Sequence, residues 1–300
     1  MHSPGPVVTG LNLIKNMNYF LVSTNHLETR ILFQDEEDFK AAMNYVAVVT
    51  SVTGVKVLAF VLMSNHVHFM LCCTRELANS FTVRFKTAYG RYFRNKYGTG
   101  NLMRRNTVDI KDVVSQYEAL EKAIAYVQMN PVAARICLHS TGYRWSTGNV
   151  FFNLNREKGM PLSSLSVRAQ QRLLKSEAQL PQNWTVGREG YVLQESYVSV
   201  NFVEKLFRTP ARMNYFLNIS SKARLIEGRN NPSFRDQIVQ EACVDLCRTM
   251  FGSDSVEPLE KEEKKELLRQ LKRRFCADIN QLGRTTGLRP EEISRLFESF

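Results

Sequence analysis

Apolar and polar positions change rhythm several times along the first half of the chain. Tyr19 to Thr24 reads as a strand. Asp35 to Thr50 places apolar residues at helical spacing behind an acidic first turn, where the positive end of a helix favours carboxylates, and Gly54 breaks the pattern. Val55 to Met63 is an apolar run of strand length, followed across Ser64-Asn65 by a second, Val67 to Cys73. From about Asn79 to Tyr97 the spacing is helical again, and Gly98-Thr99-Gly100 ends it. Leu102 to Ile110 reads as a fourth strand and Ser115 to Asn130 as another helix. In that helix Ser115 and Glu118 form a capping box, Leu120, Ile124 and Val127 make the apolar stripe, and Pro131 forbids continuation.

The resulting order, β-α-β-β-α-β, predicts an α+β fold of ferredoxin-like type: an antiparallel sheet with helices on one face and the other face open. The pattern divides the chain into an N-terminal tail over 1–16, where Pro4, Gly5, Pro6 and Gly10 give turn character, and a first domain over 17–152. Residues 153–235 read as a connector without assigned role, and 236–300 as a mostly helical region. Within the last, Asp278 to Leu296 has the layout of a helix-turn-helix, with Gly287-Leu288 at the turn and Pro290 opening the second helix. Arg284 and Arg289 are its candidate contacts to duplex DNA. Glu291 and Glu292 in the first turn of the would-be reading helix oppose phosphate, so a plain helical bundle fits the same residues.

Chemistry enters with Ser64-Asn65-His66-Val67-His68. Side chains on a strand alternate, so His66 and His68 share a face while Val67 takes the other. Two imidazoles on a rigid strand make a pair suited to a divalent ion; alone, the pattern fits two hydrogen-bonded structural histidines equally well. In the later helix Tyr126 and Asn130 stand four apart and so lie on one face, rotated from the Leu120 stripe. Taken alone, Tyr126 reads as an ordinary interfacial tyrosine. Tyr117, Tyr89 and Tyr92 are the other phenols near the motif region.

Together these segments resemble a known family. Val61-Leu62-Met63-Ser64-Asn65-His66-Val67-His68-Phe69-Met70-Leu71, then Tyr126-Val127-Gln128-Met129-Asn130-Pro131-Val132-Ala133-Ala134, then Tyr143-Arg144-Trp145-Ser146 match, in order and separation, the REP-associated tyrosine transposases of the single-tyrosine His-hydrophobe-His superfamily. The likeness covers about residues 17 to 150. It departs at Ser64, where the family usually carries Pro, and at Ala133-Ala134-Arg135. The resemblance implies a metal-dependent single-strand DNA endonuclease and strand transferase. Tyr126 would be the nucleophile, and His66, His68 and Asn130 would be ligands to Mg²⁺ or Mn²⁺. It also implies a 5′-phosphotyrosine intermediate and recognition of REP-like hairpins. A hairpin-binding protein with an idle site, or a metal-dependent nuclease using water, would share the same residues.

Composition adjusts this picture modestly. The chain of 300 residues has 40 Lys and Arg against 29 Asp and Glu, a formal charge of +11, which favours a polyanionic partner. From Leu77 to Val108 there is no acidic residue, and Arg84, Lys86, Arg91, Arg94, Arg104 and Arg105 fall there among Phe81, Phe85, Tyr89, Tyr92 and Phe93. Cations beside aromatics suit single-stranded DNA, but these rings also follow helical spacing, so most are expected to pack inward. The six cysteines lack metal-site or disulfide spacing. Without a signal segment or an apolar run of membrane length, no membrane partner and a bacterial cytoplasmic, nucleoid-associated location are expected. The sequence does not give an oligomeric state.

Overall fold

The computed structural model describes residues 18–24, 31–98, 108–220 and 236–298. The N-terminal tail and Arg104 and Arg105 lie outside them. Four strands, β1 (Tyr19–Thr24), β2 (Lys56–Met63), β3 (His66–Cys72) and β4 (Val108–Val113), form an antiparallel sheet in the order β2-β3-β1-β4. The fourth strand runs on to Val113 rather than ending at Ile110, and 102–107 fall outside the described residues.

Helix α1 (Glu36–Thr53) follows a capping box in which Asp35 accepts from the Asp38 backbone while Asp38 reaches back. Its C-terminus turns at Gly54, whose φ of 66° a residue with a Cβ would resist. Helix α2 (Arg75–Tyr97) starts at the Thr74 cap and ends at Gly98 in the same left-handed way. The two helices pack on one sheet face, where Phe69 of β3 meets Phe81 and Phe85 of α2 edge-on at 5.2 and 5.3 Å.

The opposite face is not open. Helix α3 (Tyr117–Gln128), the short α4 (Asn130–Ala133) and α6 (Val200–Phe207) lie against β2 there. The strands already carried the reason: apart from Lys56, every residue of β2 and β3 is buried, and a strand apolar on both sides needs a layer on both sides. The start of α3 also differs from expectation. Ser115 and Glu118 form no capping box, because the chain turns after β4 and the helix begins one residue later, with Gln116 at the cap position and no side-chain cap bond. Pro131 does not stop the helix by itself; it sits in the first turn of α4, where its missing N–H costs nothing.

Residues 153–220 belong to the same core. Helices α5 (Val167–Leu174) and α7 (Pro210–Ile219) join α6 there, and Leu162, Leu174, Val192, Val203 and Phe207 are fully buried in one cluster with the sheet. The outer edge of β2 is closed by two passes of the chain. Leu62 N–H donates to Trp145 O and Thr147 N–H to Phe60 O, while Ser199 N–H donates to Val57 O. Trp145 stacks on Phe39 of α1 at 5.0 Å. Helices α8 (Asp236–Phe251), α9 (Lys261–Phe275), α10 (Ile279–Thr286) and α11 (Pro290–Glu298) build a second, smaller core around Val239, Leu267, Leu271, Leu282 and Ile293. Gly287 closes α10 before α11, so the helix-turn-helix layout is present. Among the described residues no helix is long and apolar enough to cross a membrane.

Candidate active site

His66 and His68 lie on the interior strand β3 and share one face, their rings 4.9 Å apart and nearly perpendicular. Both are buried rather than half-exposed. Each ring is held through Nδ1. His66 Nδ1 donates to Asn65 Oδ1 at 2.8 Å, and His68 Nδ1 shares a 2.6 Å hydrogen bond with Ser23 Oγ of β1. A carbonyl oxygen only accepts, so the Asn65 contact keeps the proton of the neutral His66 ring on Nδ1 and its lone pair on Nε2. Asn65 therefore orients the ring. Such outer partners are what a metal-ligating imidazole needs to be held in one tautomer and one orientation.

Tyr126 approaches from the second layer. Its ring centroid is 5.6 Å from that of His68, edge to face, and the residue is only partly buried, so the phenol sits beside the imidazoles at the protein surface. The amphipathicity of α3 explains the placement: Leu120, Ile124 and Val127 are fully buried against the sheet, and Tyr126 falls on the flank of that stripe. Asn130 is buried, and its amide nitrogen donates to Tyr126 O at 2.9 Å and Val127 O at 3.2 Å. Those carbonyls are among the orphans of the α3 C-terminus. Asn130 thus quenches the negative end of the helix next to the phenol, and only its oxygen is left in role to face a cation.

The donor types suit a divalent ion: two imidazoles share one sheet face and a carboxamide stands one turn beyond the phenol, while among the described residues no group of three or more His, Cys, Asp or Glu is placed to hold a metal. Such a set leaves most coordination positions to oxygens from solvent or substrate, as magnesium and manganese prefer. Comparison with protein-family models, with curated proteins and with solved structures found no match to this chain.

Strand register adds residues that the sequence did not single out. His68 pairs with Ser23, and Ser23 pairs with Asp109 of β4, so the three form a row on the face that Tyr126 covers; Lys111 stands in the next row opposite Leu21. Lys111 bonds Asp109 at 3.0 Å. Its pKa is raised first by that carboxylate and further by the neighbouring Tyr126.

On α2 the cations and rings divide as their helical spacing predicts. Arg84, Arg91 and Arg94 are exposed on α2, Lys86 is partly buried with its pKa lowered by desolvation, and Phe81, Phe85, Tyr89, Tyr92 and Phe93 pack inward. Since α2 covers the Phe69 face, these cations stand across the sheet from His68 and Tyr126. Tyr89 and Tyr92 stand there too, their hydroxyls donating to Leu32 O and Asp38 and their pKa values pushed up, first by burial. Arg284 does not face solvent as a DNA contact: its Nε and Nη2 bond Asp236 at 2.7 and 3.2 Å. Arg289 is exposed between α10 and α11.

Proposed function

We propose that this protein is a metal-dependent single-strand DNA endonuclease and strand transferase acting through Tyr126. The observation that carries the reading is the Tyr126 ring against His68, 5.6 Å centroid to centroid, with His66 beside it on the same sheet face. The strand order β2-β3-β1-β4 with the element order βαββαβ supports a ferredoxin-like core of the kind the motif resemblance implies.

In this reading His66, His68 and Asn130 would hold Mg²⁺ or Mn²⁺, which would neutralise charge at a non-bridging phosphate oxygen. Asn65 keeps the His66 ring in one tautomer, and Ser23 holds the His68 ring in place. Tyr126 Oη attacks phosphorus; the Oη–P bond forms as the P–O3′ bond breaks, and the phenolic proton ends on the departing 3′ oxygen through solvent. Lys111, paired with Asp109 beside Tyr126, would meet the charge that develops as the phenol gives up its proton to solvent. The product is a 5′-phosphotyrosine and a free 3′-hydroxyl, which preserves the phosphodiester energy for rejoining. The net charge of +11 supports a nucleic-acid substrate, and the resemblance supports REP-like hairpins; Arg289 and its surroundings would meet adjoining duplex.

Incubation with a single-stranded hairpin oligonucleotide and Mg²⁺ or Mn²⁺ tests this. A denaturant-resistant protein–DNA adduct should form with the wild type and vanish in Tyr126→Phe. Cleavage that persists in Tyr126→Phe would assign the chemistry to water, and tight binding without cleavage under either metal would reduce the protein to a binder.

A further inference from the structure

The helical module grips the site through one carboxylate. Asp236, the first residue of α8, is 3% exposed. Its Oδ2 accepts from Ser64 Oγ at 2.6 Å and Arg284 Nε at 2.7 Å, and its Oδ1 accepts from Gln281 Nε2 at 3.1 Å. Gln237, next in the chain, donates Nε2 to Phe33 O at 2.5 Å. Ser64 belongs to the two-residue turn between β2 and β3, and its own carbonyl accepts from Leu32 N and Phe33 N at 2.6 and 3.2 Å. The turn that launches His66 is therefore fastened on one side by residues 32–33 and on the other by Asp236.

From this geometry we propose that Asp236 is a positioning residue for the His66 half of the site: by holding Ser64 it sets the turn from which Asn65 Oδ1 meets His66 Nδ1, and so aims Nε2 of that ring. The proposal rests on reading His66 as a metal ligand, and it predicts an asymmetry. His68 lies within the ladder, and its Nδ1 is anchored by Ser23 on β1. That contact joins two strands of the sheet and lies outside the helical module. His66 stands at the first position of its strand, directly after the turn, and takes its Nδ1 partner from the turn itself. The bonds at Asp236 are charge-assisted and converge on one buried group, which makes the node stiff. Ser64→Ala is the mild variant, because the carboxylate keeps its Arg284 and Gln281 partners; Asp236→Asn is the stronger one.

Long-range proton–nitrogen spectra of the imidazoles in the full chain read the proposal without metal. In Ser64→Ala and Asp236→Asn the His66 ring signals should move or broaden while those of His68 hold, and Mn²⁺ titration should show affinity lower by about tenfold, the usual cost of losing an outer partner. His66 signals identical to wild type in both variants would overturn the assignment, as would equal displacement of both rings, which would mean general loosening of the sheet. If the wild type took up no Mn²⁺ while His66 still shifted alone, the metal reading would fall and the positioning role would stand.

Discussion

Ser23 shows how much a single hydroxyl can decide. It is the Nδ1 partner of His68, 45 positions away in the chain, and it ties the ligand strand to its neighbour β1. Replacing it with Ala removes one hydrogen bond, about 1 kcal/mol of stability, but frees the ring to turn. We expect Ser23→Ala to weaken Mn²⁺ binding by about tenfold while the thermal midpoint moves by only a few degrees, about 4 to 8 °C per kcal/mol in a small domain and less in a larger one; calorimetric titration beside thermal unfolding would show whether the two effects part. Local spacing, period two along a strand or a turn of helix, makes it legible that His66 and His68 share a face and that Tyr126 and Asn130 do; only the motif resemblance joins the two pairs. Ser23, Asp109 and Lys111 were not legible. They reach the site only through the pairing of β3 with β1 and of β1 with β4, and register between distant strands leaves no local mark on the sequence.

Helix α3 carries Tyr126, and one ion pair fastens it to α7. Glu121, fully buried, takes both Arg212 Nε at 2.5 Å and Nη2 at 2.8 Å from α7. Removing Arg212 would strand a buried carboxylate. A wholly buried pair broken this way costs about 3 to 5 kcal/mol; because the Arg212 side chain is 43% exposed, solvent repairs part of the loss and we expect about 2 kcal/mol for Arg212→Ala. Urea denaturation would read that cost, and adduct yield should fall with it if the pair also seats Tyr126; a variant as stable as wild type would show that the pair does not hold α3. Caps were legible unevenly. Asp35 and Asp38 box the start of α1, where the sequence showed only an acidic first turn, whereas Ser115 and Glu118, at the same spacing, do not cap α3, because the chain leaving β4 bends first and the helix starts at Tyr117. A capping pattern marks a helix start only where the incoming chain arrives at the right angle.

At the scale of the whole chain, the stretch 153–220 looks like a linker in sequence, since its short polar pieces and glycines hide single apolar residues. Several of those residues have a place in the core. Leu162, Leu174, Val192, Val203 and Phe207 are fully buried with the sheet, and at about 1.5 to 3 kcal/mol per buried side chain their joint removal is as large as the 5 to 15 kcal/mol that ordinarily separates folded from unfolded. A chain ending at Phe152 should therefore show no cooperative thermal transition, while one ending at Ser220 should keep it; scanning calorimetry on both decides, and a sharp transition in the shorter chain would return 153–220 to the role of connector. The sheet itself has two unlike borders. Beside β2 the backbone is already paired with residues 145–147 and 198–199, while among the described residues β4 borders the sheet on the other side. Any stray chain seeking to join by strand addition must then dock along Val108–Val113, the rim nearest the phenol. That rim bristles with Asp109, Lys111 and Asp112, charges that repel an intruding strand and leave the approach to Tyr126 to a flexible ligand whose backbone makes no ladder.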